Sequence, residues 1–190
     1  MILNIHGFDG SNRNTNFKIL RNMYGDDYMI LSPDINYRQL YYFDDIYAQI
    51  EDLINIAGSG DKLDLIVGNS LGGFFASILA EKYSTPFILT NPCLRPDISL
   101  KDVYTEFLDD IKNRNFIDYN LRKWSSNGYE HFSNSCTFYG DNDDVLDSSL
   151  AMSVAHKSHK IVLNGGHRLS DIWYCEMFKT AVNILANKKR

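Results

Sequence analysis

The sequence predicts a three-layer α/β/α sandwich, built on a mostly parallel sheet of about six strands with a small insertion after the fourth. Three observations carry that expectation. Short β-rich runs alternate with longer amphipathic ones, the order that places helices over a parallel sheet. One run, LDLIVGN, is apolar almost throughout, as suits a strand covered on both faces at the middle of such a sheet. The chain has 190 residues, 44% of them hydrophobic and 23% charged, enough for one core. Residues 1–190 are therefore expected to form a single domain.

Taken in order, ILNI is the first strand and HGFDGSNRN a turn-rich connection, followed by a helix through TNFKILRNMY. YMILSPD is the second strand, ended by Pro33. In FDDIYAQIEDLINIAG the apolar residues Ile46, Ile50, Leu53, Ile54 and Ala57 recur at helical spacing. LDLIVGN leads into the helix GGFFASILAEKY, and PFILTNP supplies the fourth strand. CTFYG and HKIVLN are the last two strands, flanking a helical SSLAMSVAHK, and DIWYCEMFKTAVNILANKK closes the chain as a helix. Residues 95–134 are the insertion, a possible small cap over the sheet's C-terminal edge, where open α/β folds bind ligands. Within it Val103, Phe107, Leu108 and Ile111 fit one helix face, and the remainder reads as polar, aromatic and irregular. Its aromatic residues Tyr104, Phe107, Phe116 and Trp124 are expected in the core more than at a substrate. Arg95 is expected to pair with one of the many acids.

Charge and composition exclude several function classes. The formal charge of −5 is spread along the chain, and the one basic block is NKKR at the end, which reads as a solvated helix terminus. No nucleic-acid partner is expected. Cys93, Cys136 and Cys175 are an unclustered, odd set without metal or redox spacing, which reads as buried thiols in a reducing compartment. MILNI lacks the form of a signal peptide, and no apolar run reaches the ~20 residues of a membrane span. A cytoplasmic location is expected, and the sequence carries no signal for an oligomeric state.

The chemistry-bearing motifs fall at the ends of expected strands. Gly68-Asn69-Ser70-Leu71-Gly72 matches G-x-S-x-G, in which a serine sits in a strained strand-to-helix turn and glycines let the two elements approach. A helix-capping serine would explain Ser70, but it would not call for Gly68, Gly72 and Gly73 together. A serine nucleophile needs a histidine base and an orienting carboxylate, in the chain order Ser, Asp or Glu, His. GDNDDVLD after the fifth strand offers Asp141, Asp143, Asp144 and Asp147, and NGGHRLSD after the sixth presents His167. His131, His156 and His159 fall in the insertion or around a surface helix and have weaker cases. The acid-rich loop also reads as Asx turns; a calcium site would require a twelve-residue loop with a central glycine and a terminal Glu, which is lacking. No metal is expected. HGFDG after the first strand matches a turn that donates one oxyanion N–H, from Phe8, with Leu71 N–H as the second and His6 stabilising the turn.

With these motifs in order, the chain resembles the α/β-hydrolases, and within them the small bacterial esterases of the YqiA type. NIHGF, GNSLGG, NPCLRP, DDVLD and GGH carry the likeness over nearly the whole length. The resemblance implies an α/β-hydrolase fold without the first β-hairpin of larger members. It implies Ser70 as nucleophile and His167 as general base, then acid. Laying the family's G-x-x-D-x-V loop on GDNDDVLD implies Asp143 as the orienting acid, with Asp141 and Asp144 as fallbacks.

The expected function is a serine esterase or thioesterase cleaving small acyl esters or thioesters through an acyl-enzyme, with no cofactor. The alternative is a non-catalytic, hydrolase-like module that binds a small molecule. A dinucleotide or phosphate site at GNSLGG is disfavoured, because neither G-x-G-x-x-G spacing nor a following GK[ST] is present.

Overall fold

Alternating side-chain direction along the strands sorts the apolar residues into two cores. The computed structural model describes residues 1–40, 42–58, 63–101 and 108–187. The strands are β1 (Ile2–Ile5), β2 (Ile30–Leu31), β3 (Leu65–Asn69), β4 (Phe87–Thr90), β5 (Ser135–Gly140) and β6 (His159–Leu163). They form one sheet in the order β2-β1-β3-β4-β5-β6, with every neighbouring pair parallel. The helices are α1 (Thr15–Tyr24), α2 (Phe43–Ile56), α3 (Leu71–Tyr83), α4 (Pro96–Ser99), α5 (Ile111–Ser126), α6 (Ser148–Val154) and α7 (Ile172–Asn187).

Leu3, Ile66, Phe87, Leu89 and Tyr139 point to one face, where they meet α2, α3, α5 and α6. Ile2, Leu65, Val67, Ile88 and Phe138 point to the other, where α1 and α7 cover them. The expected three-layer sandwich is thus the observed one. Strand order reverses between β1 and β3, so the loops after these two strands leave in opposite directions and open a crevice at their C-terminal ends.

Local chemistry explains the helix boundaries. Asn14 caps α1 by accepting from Phe17 N–H at 2.9 Å, and Asp147 caps α6 by accepting from Ser149 N–H at 2.9 Å. α3 is not amphipathic as its sequence suggested, because residues from Leu71 through Ala80 are all buried between the sheet and the aromatic layer of α2 and α5.

The insertion differs from its sequence reading. Val103, Tyr104 and Phe107 lie outside the described residues, as does the Lys188–Arg190 end of the basic tail. Ile111, expected on a buried face, is 61% exposed. Far from being irregular, the stretch that follows is the sixteen-residue α5, whose buried face is Asn113, Ile117, Asn120 and Trp124. Two asparagines hid that period from a reading of apolar spacing. Asn113 Oδ1 accepts from Phe43 N–H at 2.8 Å, capping the start of α2, and Asn120 Nδ2 donates to Phe116 O at 2.8 Å. Trp124 is fully buried against Phe74 and Phe132, a core role, and Arg95 is paired with Asp97 through a bidentate contact at 2.6 and 2.9 Å.

His131 packs in the same aromatic layer, stacked on Phe87 with ring centroids 6.0 Å apart and beside Trp124 at 5.5 Å. Both its ring nitrogens are buried without a partner. Desolvation pulls its imidazole down to about 4, while Glu81 works the other way and Lys123 adds to the fall. An unfolded histidine takes its proton near 6.5, so this group's contribution to stability is intact above that pH and is lost as pH falls from there towards 4. Solvent reaching part of the ring limits the loss to about 1–2 kcal/mol. Urea unfolding between pH 4 and 8 should show that much acid sensitivity in the wild type beyond His131→Phe; parallel curves would contradict the assignment.

Candidate functional site

Ser70 joins β3 to α3 with φ 49° and ψ −124°, a backbone that a non-glycine residue adopts at a cost of about 1–3 kcal/mol. Backbone contacts hold it there. Ser70 N–H donates to Thr90 O at 3.0 Å, and Ser70 O accepts from Gly73 N–H at 2.8 Å and Cys93 N–H at 3.0 Å. The side chain makes no capping bond to α3, so a cap is not what places this serine. The neighbouring glycines are required by contact: a Cβ on Gly72 would lie 2.4 Å from Ile5 O and 2.5 Å from His6 O, and one on Gly68 would lie 2.6 Å from Ala76 Cβ.

The turn after β1 faces this elbow. Gly10 N–H donates to Gly7 O at 3.0 Å, closing a turn whose central residues are Phe8 and Asp9. A Cβ on Gly7 would lie 2.6 Å from Ser70 Cβ. His6 is buried behind the turn with both nitrogens engaged: Nε2 accepts from Ile35 N–H at 3.0 Å, so Nδ1 carries the proton donated to Gly7 O at 2.7 Å. That histidine is structural, as the sequence suggested. Outside, Arg38 grips Asp9 at 2.6 and 2.9 Å and lies 5.2 Å over the Phe8 ring. Leu71 is the first residue of α3, where a backbone N–H has no intrahelical acceptor.

Of the four acids in the loop after β5, Asp143 is the one that meets His167. Nδ1 of the imidazole donates to Asp143 Oδ2 at 2.9 Å, with Oδ1 at 3.1 Å. The Asp143 side chain is 3% exposed, and its Oδ1 also accepts from Val145 and Leu146 N–H, each at 2.9 Å. Asx-turn geometry and histidine contact therefore coexist in one carboxylate. Asp141 serves the neighbouring loop instead, accepting from Gly165 N–H at 2.9 Å, and Asp147 caps α6.

Sequence reasoning missed Asn91. It sits after β4 with φ 40°, a conformation asparagine tolerates better than most residues. Its Oδ1 accepts from Gly140 N–H at 2.7 Å, while its Nδ2 donates to Gly166 O at 3.1 Å and His167 O at 2.8 Å. One buried amide thus ties β4 and the end of β5 to the histidine loop. Gly140 completes the seat, since a Cβ there would lie 2.4 Å from Gly165 O. The available signal was an asparagine between a strand and a proline, in NPCLRP.

Ser70 and His167 line one cavity of about 380 Å³, with Phe8, Asn69, Arg168 and Tyr174 among its walls. No hydrogen bond joins Ser70 Oγ to His167 here. A separate, mostly apolar cavity of about 390 Å³ lies between β5, β6 and α7, lined by Ser135, Cys136, His159, Ile161, Met177 and Leu185 among others. No helix among the described residues is long and apolar enough to cross a membrane.

Comparisons with known proteins agree with this architecture. Residues 1–182 match the uncharacterised protein family UPF0227. A UPF0227 protein of Serratia proteamaculans (strain 568) is 25% identical over 177 residues, covering 85% of this chain and 86% of that protein. Among solved structures, an esterase from Rhodococcus sp. ECU1013 superposes with a TM-score of 0.63 at 14% identity, covering 97% of this chain and 90% of that one. A Pyrococcus furiosus esterase gives 0.65 at 13% identity, covering 98% and 80%. An α/β-superfamily hydrolase from Oenococcus oeni PSU-1 gives 0.62 at 16% identity, covering 96% and 92%. These likenesses establish the α/β-hydrolase fold.

Asn91→Asp keeps the acceptor for Gly140 N–H but sets an oxygen against two carbonyls. The expected result is a loss of about 1–3 kcal/mol in urea unfolding, with faster hydrogen exchange at the amides of residues 165–168. Unchanged protection there would mean that Asn91 does not hold the loop.

Proposed function

The chain belongs to the UPF0227 family, and we propose that it is a serine hydrolase cleaving carboxylic esters or thioesters of small acyl substrates through an acyl-enzyme intermediate. The observation that carries the reading is the strained Ser70 elbow opening on the same cavity as the Asp143–His167 pair. The α/β-hydrolase fold and the esterases among its structural neighbours support it.

In this reading a substrate carbonyl enters above Ser70. Ser70 Oγ attacks the carbonyl carbon while its proton passes to His167 Nε2, the nitrogen left over once Nδ1 is committed to Asp143. Asp143 fixes the ring and stabilises the imidazolium without taking the proton. The C–O π pair moves onto oxygen, and the N–H groups of Phe8 and Leu71, with the N-terminal end of α3, stabilise the oxyanion. Collapse expels the alcohol or thiol, which takes the proton from His167. Water, deprotonated by the same imidazole, then releases the acid and restores Ser70.

The chemistry calls for no cofactor. Residues 1–190 act as one domain, and the described residues of the 95–134 segment support the α2–α3 layer and line none of the cavity. We place the protein in the bacterial cytoplasm, in keeping with its half-buried and buried free cysteines. The non-catalytic binding reading draws on the missing Ser70–His167 hydrogen bond, although such bonds commonly tighten only when substrate is present.

Hydrolysis of 4-nitrophenyl butyrate should fall by several orders of magnitude in Ser70→Ala and in His167→Ala, and by a similar factor in Asp143→Asn, with melting temperatures kept for the serine variant. Wild-type turnover in Ser70→Ala would refute the proposal.

A further inference from the structure

Arg168 follows His167 directly and is a wall residue of the Ser70 cavity. It is solvent-exposed, and none of the hydrogen bonds or ion pairs of the described residues involves it, whereas Arg38, Lys82, Arg95, Arg122, Lys123, Lys157 and Lys179 each have a carboxylate partner. Among the described residues Arg13, Lys18, Arg21, Arg114 and Lys160 also show no carboxylate partner, but Arg168 is the one Lys or Arg among them that lines the Ser70 cavity.

The other groups around the cavity leave that charge unanswered. Asp9 is the one carboxylate among the described wall residues, and both its oxygens are held by Arg38. Asn14, Thr15 and Asn16, at the start of α1, form another part of the wall, and α3 begins at Leu71, directly after the wall residue Ser70. Both helices therefore turn the positive ends of their dipoles towards the cavity. Apart from His167, the remaining polar side chains of the wall, Ser11, Asn69, Ser70, Thr90 and Tyr174, carry no formal charge.

We propose that Arg168 is the specificity-determining residue of this cavity and that the substrate is an ester carrying an oxyanion group, a carboxylate or a phosphate, away from the scissile bond. The proposal rests on the hydrolase reading above. A guanidinium presents paired N–H donors that match either oxyanion, and because Arg168 is exposed its contribution falls with salt. The base that activates Ser70 and the side chain that binds the anionic group would then be adjacent residues of one loop, His167 and Arg168.

The test compares two esters with the same leaving group, 4-nitrophenyl butyrate and mono-(4-nitrophenyl) glutarate. In the wild type at low salt the anionic ester should have the higher kcat/KM, and 0.5 M NaCl should shrink the difference. Arg168→Gln should lower the anionic-to-neutral ratio of kcat/KM about tenfold or more, chiefly through KM, and Arg168→Lys should recover part of it. Glutarate and inorganic phosphate as competitive inhibitors separate the two oxyanions, the preferred one losing more potency in Arg168→Gln. A ratio unchanged by Arg168→Gln overturns the proposal.

If the wild type hydrolyses neither ester, the hydrolase reading fails, and calorimetric titration of glutarate and phosphate into wild type and Arg168→Gln decides the anion site alone. At least tenfold weaker binding to the variant upholds it; equal binding, or none to the wild type, ends it.

Discussion

The close approach of one helix to one strand is the constraint on which the rest of the site depends. Because Gly72 has no side chain, the first turn of α3 presses against the carbonyls of Ile5 and His6, where a Cβ would come within 2.4 Å of backbone. Backbone atoms of a central strand cannot move aside. The chain must therefore leave β3 and enter α3 within one residue, and Ser70 absorbs the reversal at φ 49°. The same contact brings the turn after β1 beside the elbow, with Gly7 against the Ser70 side chain. Ser70 and the N–H groups of Phe8 and Leu71, the proposed nucleophile and oxyanion donors, are thus set by one packing event rather than by separate devices.

The other half of the site uses the same principle at the far side of β4. Gly140 admits the histidine loop against the end of β5, and Asn91 binds strand and loop together with three hydrogen bonds. Asp143 is held by two backbone N–H groups before it meets His167. That order matters chemically, because a carboxylate fixed by the backbone can fix an imidazole, which in turn leaves Nε2 towards the cavity. Between the two halves, β3 and β4 pair in register, so Ser70 N–H reaches Thr90 O. A strongly apolar layer beneath, with Phe74, Phe75 and Trp124 fully buried, keeps both halves from shifting.

Much of this was legible in the sequence. The strand order of motifs announced the parallel sheet, and the glycines around Ser70 distinguished an elbow from a helix cap. The choice among the loop acids needed the family's spacing, since any of Asp141, Asp143 and Asp144 satisfies a residue count, and only three-dimensional contact separates the one that meets His167 from the ones that cap or brace. α5 escaped notice because Asn113 and Asn120 occupy buried positions, breaking the apolar period while satisfying it sterically. Asn91 escaped because its partners, Gly140, Gly166 and His167, lie far along the chain, and a long-range amide bridge leaves no local pattern. The second strand shrank to Ile30 and Leu31 for a related reason: at the sheet's edge, beside β1 alone, apolar content does not fix how many residues pair.

The central claim is that Ser70 is an activated nucleophile, and covalent labelling reads it most directly. The native protein would be treated with a fluorophosphonate and the adduct located by mass spectrometry, with Ser70→Ala and His167→Ala run alongside. A single adduct on Ser70, absent from the first variant and strongly suppressed in the second, is the result this account predicts. An unlabelled native protein, or labelling of Ser70 that is indifferent to His167, would contradict it.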